Sequence, residues 1–346
     1  MSDLQLGLLV IGAIVVVGVF AYNRRQEGAA RRDAEGSFRS AHADVLMEPR
    51  AERIEPVLAE THRVAARAAA STPAALPDPR IDYVMELSFS APVAASALLE
   101  HWKPYEHRYA ARAILACSED GTAWHRLAPG GSSGASACRA GLQLVTRDGA
   151  VGEAELIEFR SAVETLAAAT GAGVNAPEVK QAVDTARELD RFCADSDIQV
   201  VFHVTAPASD AFAGTKIRAV AEASGLVLEE DGRFALRNDA DQVLFMLGAR
   251  DGSRFAAATI KDAAPAGLSL SLDVPRVPDL GRSFHTMAGF ARQLATVLGG
   301  SLVDDNGNSL DDRAVAAISA QLDAVRGAFE ARGIATGSAE ALRLFS

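Results

Sequence analysis

The chain has 346 residues, of which 49% are hydrophobic, and it carries a formal net charge of −11. This length allows two ordinary domains, and the hydrophobic content is sufficient for their cores. The acidic balance argues against a nucleic-acid-binding surface. The three cysteines, Cys117, Cys138 and Cys193, form no C-x-x-C motif. They therefore argue against a disulfide framework and favour a reducing compartment.

The first predicted element is a membrane-spanning helix over residues 4–22, LQLGLLVIGAIVVVGVFAY, which contains no charged side chain. A helix of this length reaches about 28 Å, close to the thickness of the hydrocarbon core of a bilayer. Four arginines follow the span and no Lys or Arg precedes it. Because an excess of Lys and Arg marks the cytoplasmic side, we expect a single-pass protein with its N-terminus outside the cytoplasm.

A cleaved signal peptide is the alternative interpretation of this apolar run. Such a peptide begins with a basic region and ends at a cleavage site made of small residues. Here the acidic Asp3 precedes the run and the aromatic Tyr22 ends it. The sequence therefore favours a retained anchor.

Residues 23–79 are predicted to form a tether between the anchor and the folded part of the chain. The segment is rich in Arg, Ala and Glu, and it is interrupted by Pro49, Pro56, Pro73, Pro77 and Pro79. Because proline ends or kinks a helix, we expect a linker that is helical over only part of its length.

The segment 80–193 predicts a strand, a short helix, three further strands and two helices, in that order. Residues 81–89 alternate apolar and polar side chains, as a half-buried strand does. Helical patterns follow at 153–170 and at 177–193, the latter with Pro177 at its first position.

The segment 197–335 repeats this order, with a first strand at 198–206 and helices at 283–300 and 311–332, the former capped by Ser283. We therefore predict an α+β fold of two tandem split β-α-β-like units, each with a mostly antiparallel sheet covered on one face by helices. Alternation along two of the second unit's strands predicts that six side chains face the helices: Val200, Phe202, Val204, Leu270, Leu272 and Val274.

No motif for catalysis or for a cofactor is recognisable in the sequence. The chain lacks G-x-x-x-x-G-K-[ST], G-x-S-x-G and H-E-x-x-H, and its seven histidines do not pair at the spacing of metal ligands. The acidic run VDDNGNSLDD lacks the terminal glutamate of a calcium-binding loop and predicts a turn. We therefore predict no catalytic residue, no cofactor and no metal site.

The segment 199–333, together with the anchor, resembles the ZipA family of membrane-anchored bacterial cytokinesis proteins. The resemblance rests on VTAPASDAFAGTKIRAVAEASGL, on the strand LSLSLDVP, and on a helix, GGSLVDD and a closing helix that follow it. Residues 80–193 have no direct counterpart in the family and are interpreted as a divergent copy of the same unit.

The resemblance implies a non-catalytic adaptor of the inner membrane that binds the C-terminal tail of FtsZ, the tubulin-like ring protein, with other divisome proteins as further partners. In that family an apolar groove on the exposed face of the sheet receives the tail. Carried over to this sequence, the groove positions are Gln199, Val201, Asp231, Arg233, Leu247, Ala249 and Ser271.

Three of these positions depart from the apolar residues that the family implies, namely Asp231, Arg233 and Ser271. The departures imply loss of the interaction, a changed partner, or a mixed binding mode in which Arg233 pairs with an acidic residue of the tail. Three alternatives stay open. The seven positions could form an ordinary solvent-facing sheet. The protein could be a membrane-anchored scaffold, enzyme or ligand-binding protein, or it could bind its partner through the first unit.

Overall fold

The computed structural model describes residues 75–129, 134–207 and 210–346. These residues belong to one compact unit. The predicted membrane span at 4–22 and the tether up to residue 74 lie outside the described residues. Within the described part, no helix combines the length and the apolar character needed to cross a bilayer.

The α+β class predicted from the sequence is confirmed, and the sheets are antiparallel. The strands are β1 (Asp82–Ala94), β2 (Ala113–Ser118), β3 (His125–Arg126), β4 (Gly134–Gln143), β5 (Val145–Thr146), β6 (Gly149–Ala150), β7 (Gly173–Asn175), β8 (Gln199–Thr205), β9 (Val227–Leu228), β10 (Phe234–Arg237), β11 (Val243–Ala249), β12 (Gly267–Asp273) and β13 (Ser301–Val303). The helices are α1 (Ala95–Trp102), α2 (Glu106–Tyr109), α3 (Glu153–Thr170), α4 (Val179–Ser196), α5 (Gly214–Ala223), α6 (Leu280–Leu298), α7 (Asp312–Ala331) and α8 (Ala339–Leu344).

The first sheet has the strand order β3-β2-β4-β1-β7. Helices α1, α3 and α4 cover one of its faces and supply many of the apolar side chains buried there. Aromatic rings fill the centre of this core, where Phe159 makes edge contacts with Tyr83, Trp102 and Tyr109. Such edge contacts are a favoured geometry for buried aromatic pairs.

The second sheet has the strand order β13-β8-β12-β11-β10-β9. Helices α5, α6 and α7 pack against one face and form a second apolar cluster with it. The six side chains that alternation assigns to this core are all buried: Val200, Phe202, Val204, Leu270, Leu272 and Val274.

Both sheets contain the same antiparallel arrangement of four strands, β2-β4-β1-β7 in the first and β11-β12-β8-β13 in the second. The registers also correspond, since Val84 lies opposite Gly141 in the first sheet and Val201 lies opposite Ser271 in the second. In each case a helix follows the first strand and two long helices flank the last one. The repeated order of elements is therefore visible in the structure, while the limits 80–193 and 197–335 as separate domains stay a prediction.

The C-terminal part of the chain belongs to the first core rather than to the second. Phe329 near the end of α7 contacts Phe192 of α4, with ring centroids 4.9 Å apart, and also contacts Phe345. Ile334 and Leu344 are buried in the same cluster. The first hydrophobic core is thus completed by residues that follow the second sheet in the sequence.

Two helix starts differ from the predicted ones. Helix α6 begins at Leu280, because the side chain of Asp279 accepts a hydrogen bond from a backbone amide of the first turn. Ser283, the predicted cap, lies inside the helix and donates its hydroxyl proton to the carbonyl of Pro278. Helix α4 begins at Val179, so Pro177 precedes the helix instead of occupying its first turn.

Candidate functional site

The candidate site is the face of the second sheet opposite helices α5, α6 and α7, called here the open face. Alternation along each strand and the register between strands agree on which side chains lie on this face. The set is Gln199, Val201 and His203 from β8, Ser269, Ser271 and Asp273 from β12, Leu244, Met246 and Gly248 from β11, and Arg233 and Ala235 at β10.

A row of small and apolar side chains crosses the middle of the open face. Val201, Ser271, Met246 and Ala235 lie opposite one another on four adjacent strands. The first three are half-buried and Ala235 is buried. A shallow, mostly apolar row on a rigid sheet is suited to contact with the side chains of a peptide.

A cavity of about 490 Å³ lies at one end of the open face and reaches the middle of this row at Ser271 and Met246. Its walls include Leu244, Met246 and Ser271 of the open face, the cationic Arg276, and Leu342 of α8. The C-terminal segment is fixed at this wall, since the side-chain amide of Gln242 donates to the carbonyl of Gly337 at 3.1 Å. The cavity therefore combines an apolar floor with charged and polar rims.

The other end of the open face carries a buried histidine. His203 Nδ1 lies 2.9 Å from Ser269 Oγ, and His203 Nε2 lies 2.7 Å from Asp305 Oδ1. The residue is 8% exposed, whereas the Asp305 side chain is 70% exposed. Both ring nitrogens are thus satisfied by polar neighbours, as a buried polar group requires. No cluster of three or more metal-ligating side chains is present among the described residues.

Arg233 is already paired with Asp231 within the chain. Arg233 Nη2 lies 2.6 Å from Asp231 Oδ2, and the backbone amide of Arg233 donates to Asp231 Oδ1. Partial burial opposes ionisation of the carboxyl, but these hydrogen bonds and the guanidinium charge hold the pKa of Asp231 below its usual value. Asp231 lies in the turn before β10 instead of on the sheet. An acidic partner must therefore compete with Asp231 for Arg233.

Two of the seven predicted groove residues lie on the wrong face. Leu247 is 0% exposed and Ala249 is 8% exposed, and both belong to the core under the helices. The register explains this, because Leu247 pairs with the buried Phe234 and Leu270. Met246 and Gly248 occupy the corresponding open-face positions.

The other predicted residues are placed as follows. Gln199, Val201, Arg233 and Ser271 share the open face, and Asp231 lies beside it. Sequence reasoning missed Met246 and Leu244, which supply much of its apolar area. The sequence of β11 alone does not identify them. Their face follows from the pairing of Met246 with Ser271 on the neighbouring strand.

The equivalent face of the first sheet is covered by its own chain. Pro77 lies so close to Gly141 that a Cβ at this glycine would be 2.7 Å from the Pro77 Cβ. Ile114 and Ala116 on β2 are buried although they do not belong to the cluster under the helices. The guanidinium of Arg139 lies 4.1 Å from the centroid of the Trp124 ring.

Comparison with known protein families concerns the second sheet. Residues 198–321 match the family described as ZipA, C-terminal FtsZ-binding domain. The resemblance to the ZipA family predicted from the sequence is thus confirmed over these residues. The ZipA match begins with β8, ends within α7, and includes all seven predicted groove positions, while the first sheet lies outside it. A search of curated proteins finds no significant match.

Proposed function

We propose that this protein acts in cell division by binding the C-terminal tail of FtsZ on the open face of its second sheet. The observation that supports this most strongly is the match of residues 198–321 to a domain described as FtsZ-binding. The matched residues form the sheet whose open face carries the apolar row and the adjoining cavity. The ZipA C-terminal family is non-enzymatic, and we propose a binding role without catalysis.

The binding mode follows from the side chains on the open face. Val201, Leu244 and Met246 offer apolar contacts to one side of an amphipathic peptide, and a few such contacts supply most of the affinity in small interfaces. Arg276 at the cavity rim offers a positive charge to acidic residues of the tail. The proposed mode is therefore mixed, with an apolar centre and a charged edge.

The second sheet is a better candidate than the first. The two sheets share four strands in the same order, and the position equivalent to Ser271 is Gly141. Pro77 already lies against Gly141, so a peptide must displace part of the chain before it can bind there. This contact supports assigning the tail to the second sheet.

We further propose that residues 4–22 anchor the protein in the inner membrane and that the folded part lies in the cytoplasm as two tandem units. The tether predicted for residues 23–79 would then end before Pro77, which packs against Gly141. The uncharged apolar run and the arginines that follow it support this arrangement. An anchor on the same chain as a tail-binding face would hold FtsZ filaments at the membrane, with other divisome proteins as further partners.

Binding is tested with a synthetic FtsZ tail peptide and the full-length protein in detergent, by fluorescence anisotropy. The expected result is saturable binding with a Kd well below 1 mM, which corresponds to about −4 kcal/mol. A peptide of the same composition in scrambled order is the control. Absence of saturable binding would contradict the tail assignment and would favour a membrane-anchored scaffold with another partner.

Orientation is tested separately by adding protease to intact spheroplasts. The folded part is expected to stay protected until the membrane is disrupted. Digestion from outside would contradict the proposed topology while leaving the peptide-binding result unaffected.

A further inference from the structure

Cys117 and Cys138 lie directly opposite each other in the first sheet. Cys117 is on β2 and Cys138 is on β4, and the antiparallel register pairs them. Opposite residues project to the same side of a sheet. Here it is the side covered by helices, where Cys138 is fully buried and Cys117 is half-buried at the edge of the cluster.

The pairing satisfies the geometric requirement for a disulfide. Opposite residues of an antiparallel pair have Cα atoms about 4.5 to 5.5 Å apart, depending on the hydrogen-bonding class of the pair. Disulfides span Cα separations of roughly 4.4 to 6.8 Å, a range that includes both classes. The register therefore makes the two thiols neighbours in the reduced protein.

We propose that Cys117 and Cys138 form a redox modification site that hydrogen peroxide converts reversibly into a disulfide. The site lies outside the segment that matches the ZipA family, and the proposal does not depend on the proposed function. Both cysteines are free thiols in this structure.

The two thiols have different roles in the reaction. Interaction with the Cys138 thiol lowers the pKa of the Cys117 thiol, while the same interaction and burial raise the pKa of Cys138. Since the thiolate is the nucleophile, Cys117 is the residue that reacts first. Its partial exposure also gives the oxidant access that Cys138 lacks.

The reaction balances in two steps. The Cys117 thiolate attacks one oxygen of hydrogen peroxide, the O–O bond breaks, and the leaving hydroxide takes up a proton to give water and a Cys117 sulfenic acid. The sulfur of Cys138 then attacks the Cys117 sulfur. The S–S bond forms, the S–O bond breaks, and the hydroxide leaves as water with the proton of the Cys138 thiol. Two thiols are oxidised and one peroxide is reduced to two waters.

Cys193 provides an internal control. It lies on α4 and is buried, and burial raises the pKa of its thiol to about 12. It is therefore a poor nucleophile at neutral pH, and unlike Cys138 it has no cysteine opposite it on a neighbouring strand. A disulfide that forms from the folded state should exclude it.

The test uses full-length protein in detergent, treated with hydrogen peroxide, blocked with N-ethylmaleimide and digested with trypsin. Cleavage after Arg112, Arg126 and Arg139 places Cys117 in peptide 113–126 and Cys138 in peptide 127–139. Mass spectrometry is expected to show these two peptides joined, with the loss of two hydrogen atoms. Dithiothreitol should separate them again.

Matched variants define the outcome. Cys193→Ser should retain the cross-link, and Cys117→Ser should abolish it without requiring any change in a fully buried side chain. Circular dichroism checks that each variant is folded. The proposal is overturned if Cys117 is oxidised to a sulfinic acid with no cross-link, if the peptide 192–216 with Cys193 is joined instead, or if the link forms only in denaturant.

Discussion

Arg343 holds the buried carboxylate of Asp82 through two hydrogen bonds. Arg343 Nη1 lies 2.9 Å from Asp82 Oδ2, and Arg343 Nη2 lies 2.6 Å from Asp82 Oδ1. The side chain of Asp82 is 0% exposed, and the backbone amide of Asp78 donates a third hydrogen bond to it. This pair joins α8 to β1, that is, the C-terminal helix to the first strand of the first sheet.

Replacing Arg343 with methionine is expected to lower the free energy of unfolding by about 3–5 kcal/mol. The substitution keeps most of the side-chain volume but leaves the Asp82 charge buried without its partner. Urea unfolding followed by circular dichroism measures the change. Arg292→Met is the control, because Arg292 is 44% exposed in its pair with Asp312 and such pairs contribute less than about 1 kcal/mol. Equal losses in the two variants would contradict a special role for the buried pair.

The loss in free energy of unfolding caused by Arg343→Met should become smaller at low pH. Burial raises the pKa of Asp82, and Arg343 opposes this shift, so its removal raises the pKa further. The native variant then binds the proton more tightly than its unfolded chain does. The contribution of Asp82 to the stability of the variant is therefore fully present below the unfolded pKa of about 3.9 and is lost as the pH rises through the folded pKa. Unfolding curves at several pH values measure this, and a deficit that is constant with pH would contradict it.

Met246 and Leu247 are sequence neighbours with opposite predicted effects. Met246→Ala removes an apolar contact of the open face and should weaken binding of the FtsZ tail by about 1–2 kcal/mol, with little loss of stability. Leu247→Ala leaves a cavity in the core and should lower the free energy of unfolding by about 2–5 kcal/mol. Anisotropy titrations and urea unfolding of both variants separate the two effects.

Val297→Ala is the matched control for Met246→Ala. Val297 is an exposed apolar residue of α6, the helix that packs against the opposite face of the sheet. Its truncation should change neither the affinity for the FtsZ tail nor the free energy of unfolding. If Leu247→Ala weakened tail binding at a concentration where it is fully folded, the observed assignment of faces would be wrong.

Two helix glycines should respond oppositely to alanine. A Cβ at Gly214, the first residue of α5, would overlap the carbonyl oxygen of Ile260, so Gly214→Ala should destabilise the fold by about 1–3 kcal/mol. Gly289 lies on the exposed side of α6, where an added Cβ would have no neighbour within 4 Å. Gly289→Ala should therefore stabilise by about 0.5–1 kcal/mol. Thermal unfolding of both variants tests the pair, and a stabilising Gly214→Ala would exclude the close contact.

Cys193 should resist alkylation in the folded protein. Burial raises the pKa of its thiol to about 12, so almost no thiolate is present at neutral pH. Iodoacetamide labelling followed by peptide mass spectrometry should modify Cys193 only after unfolding in urea. Rapid labelling under native conditions would show that α4 opens locally.

Strand faces were predictable where polar and apolar residues alternate. In β8 and β12 the alternation assigns Phe202 and Leu270 to the core, and the structure confirms both. In β11 the sequence VLFMLGA contains no polar residue, so its alternation carries no information about faces. Only the pairing with β12 decides that Leu247 points inward and Met246 outward.

Long-range contacts were beyond the reach of sequence patterns. The helical pattern at 311–332 predicts α7 to within one residue at each end. Nothing in that pattern indicates that Phe329 packs against Phe192 of the first sheet's core, since the two residues belong to different repeats. The contact between Pro77 and Gly141 could not be predicted from the sequence either, because proline in a tether predicts only an interrupted helix.

The position of Phe345 in the first core has a consequence for biosynthesis. A ribosome synthesises β1 long before it synthesises α8, and domains generally begin to fold as they emerge. The first sheet must therefore wait, incompletely packed, while the entire ZipA-like segment is translated. A nascent chain arrested before α8 would expose apolar surface of the first sheet to chaperones and proteases, whereas the second sheet would already be assembled.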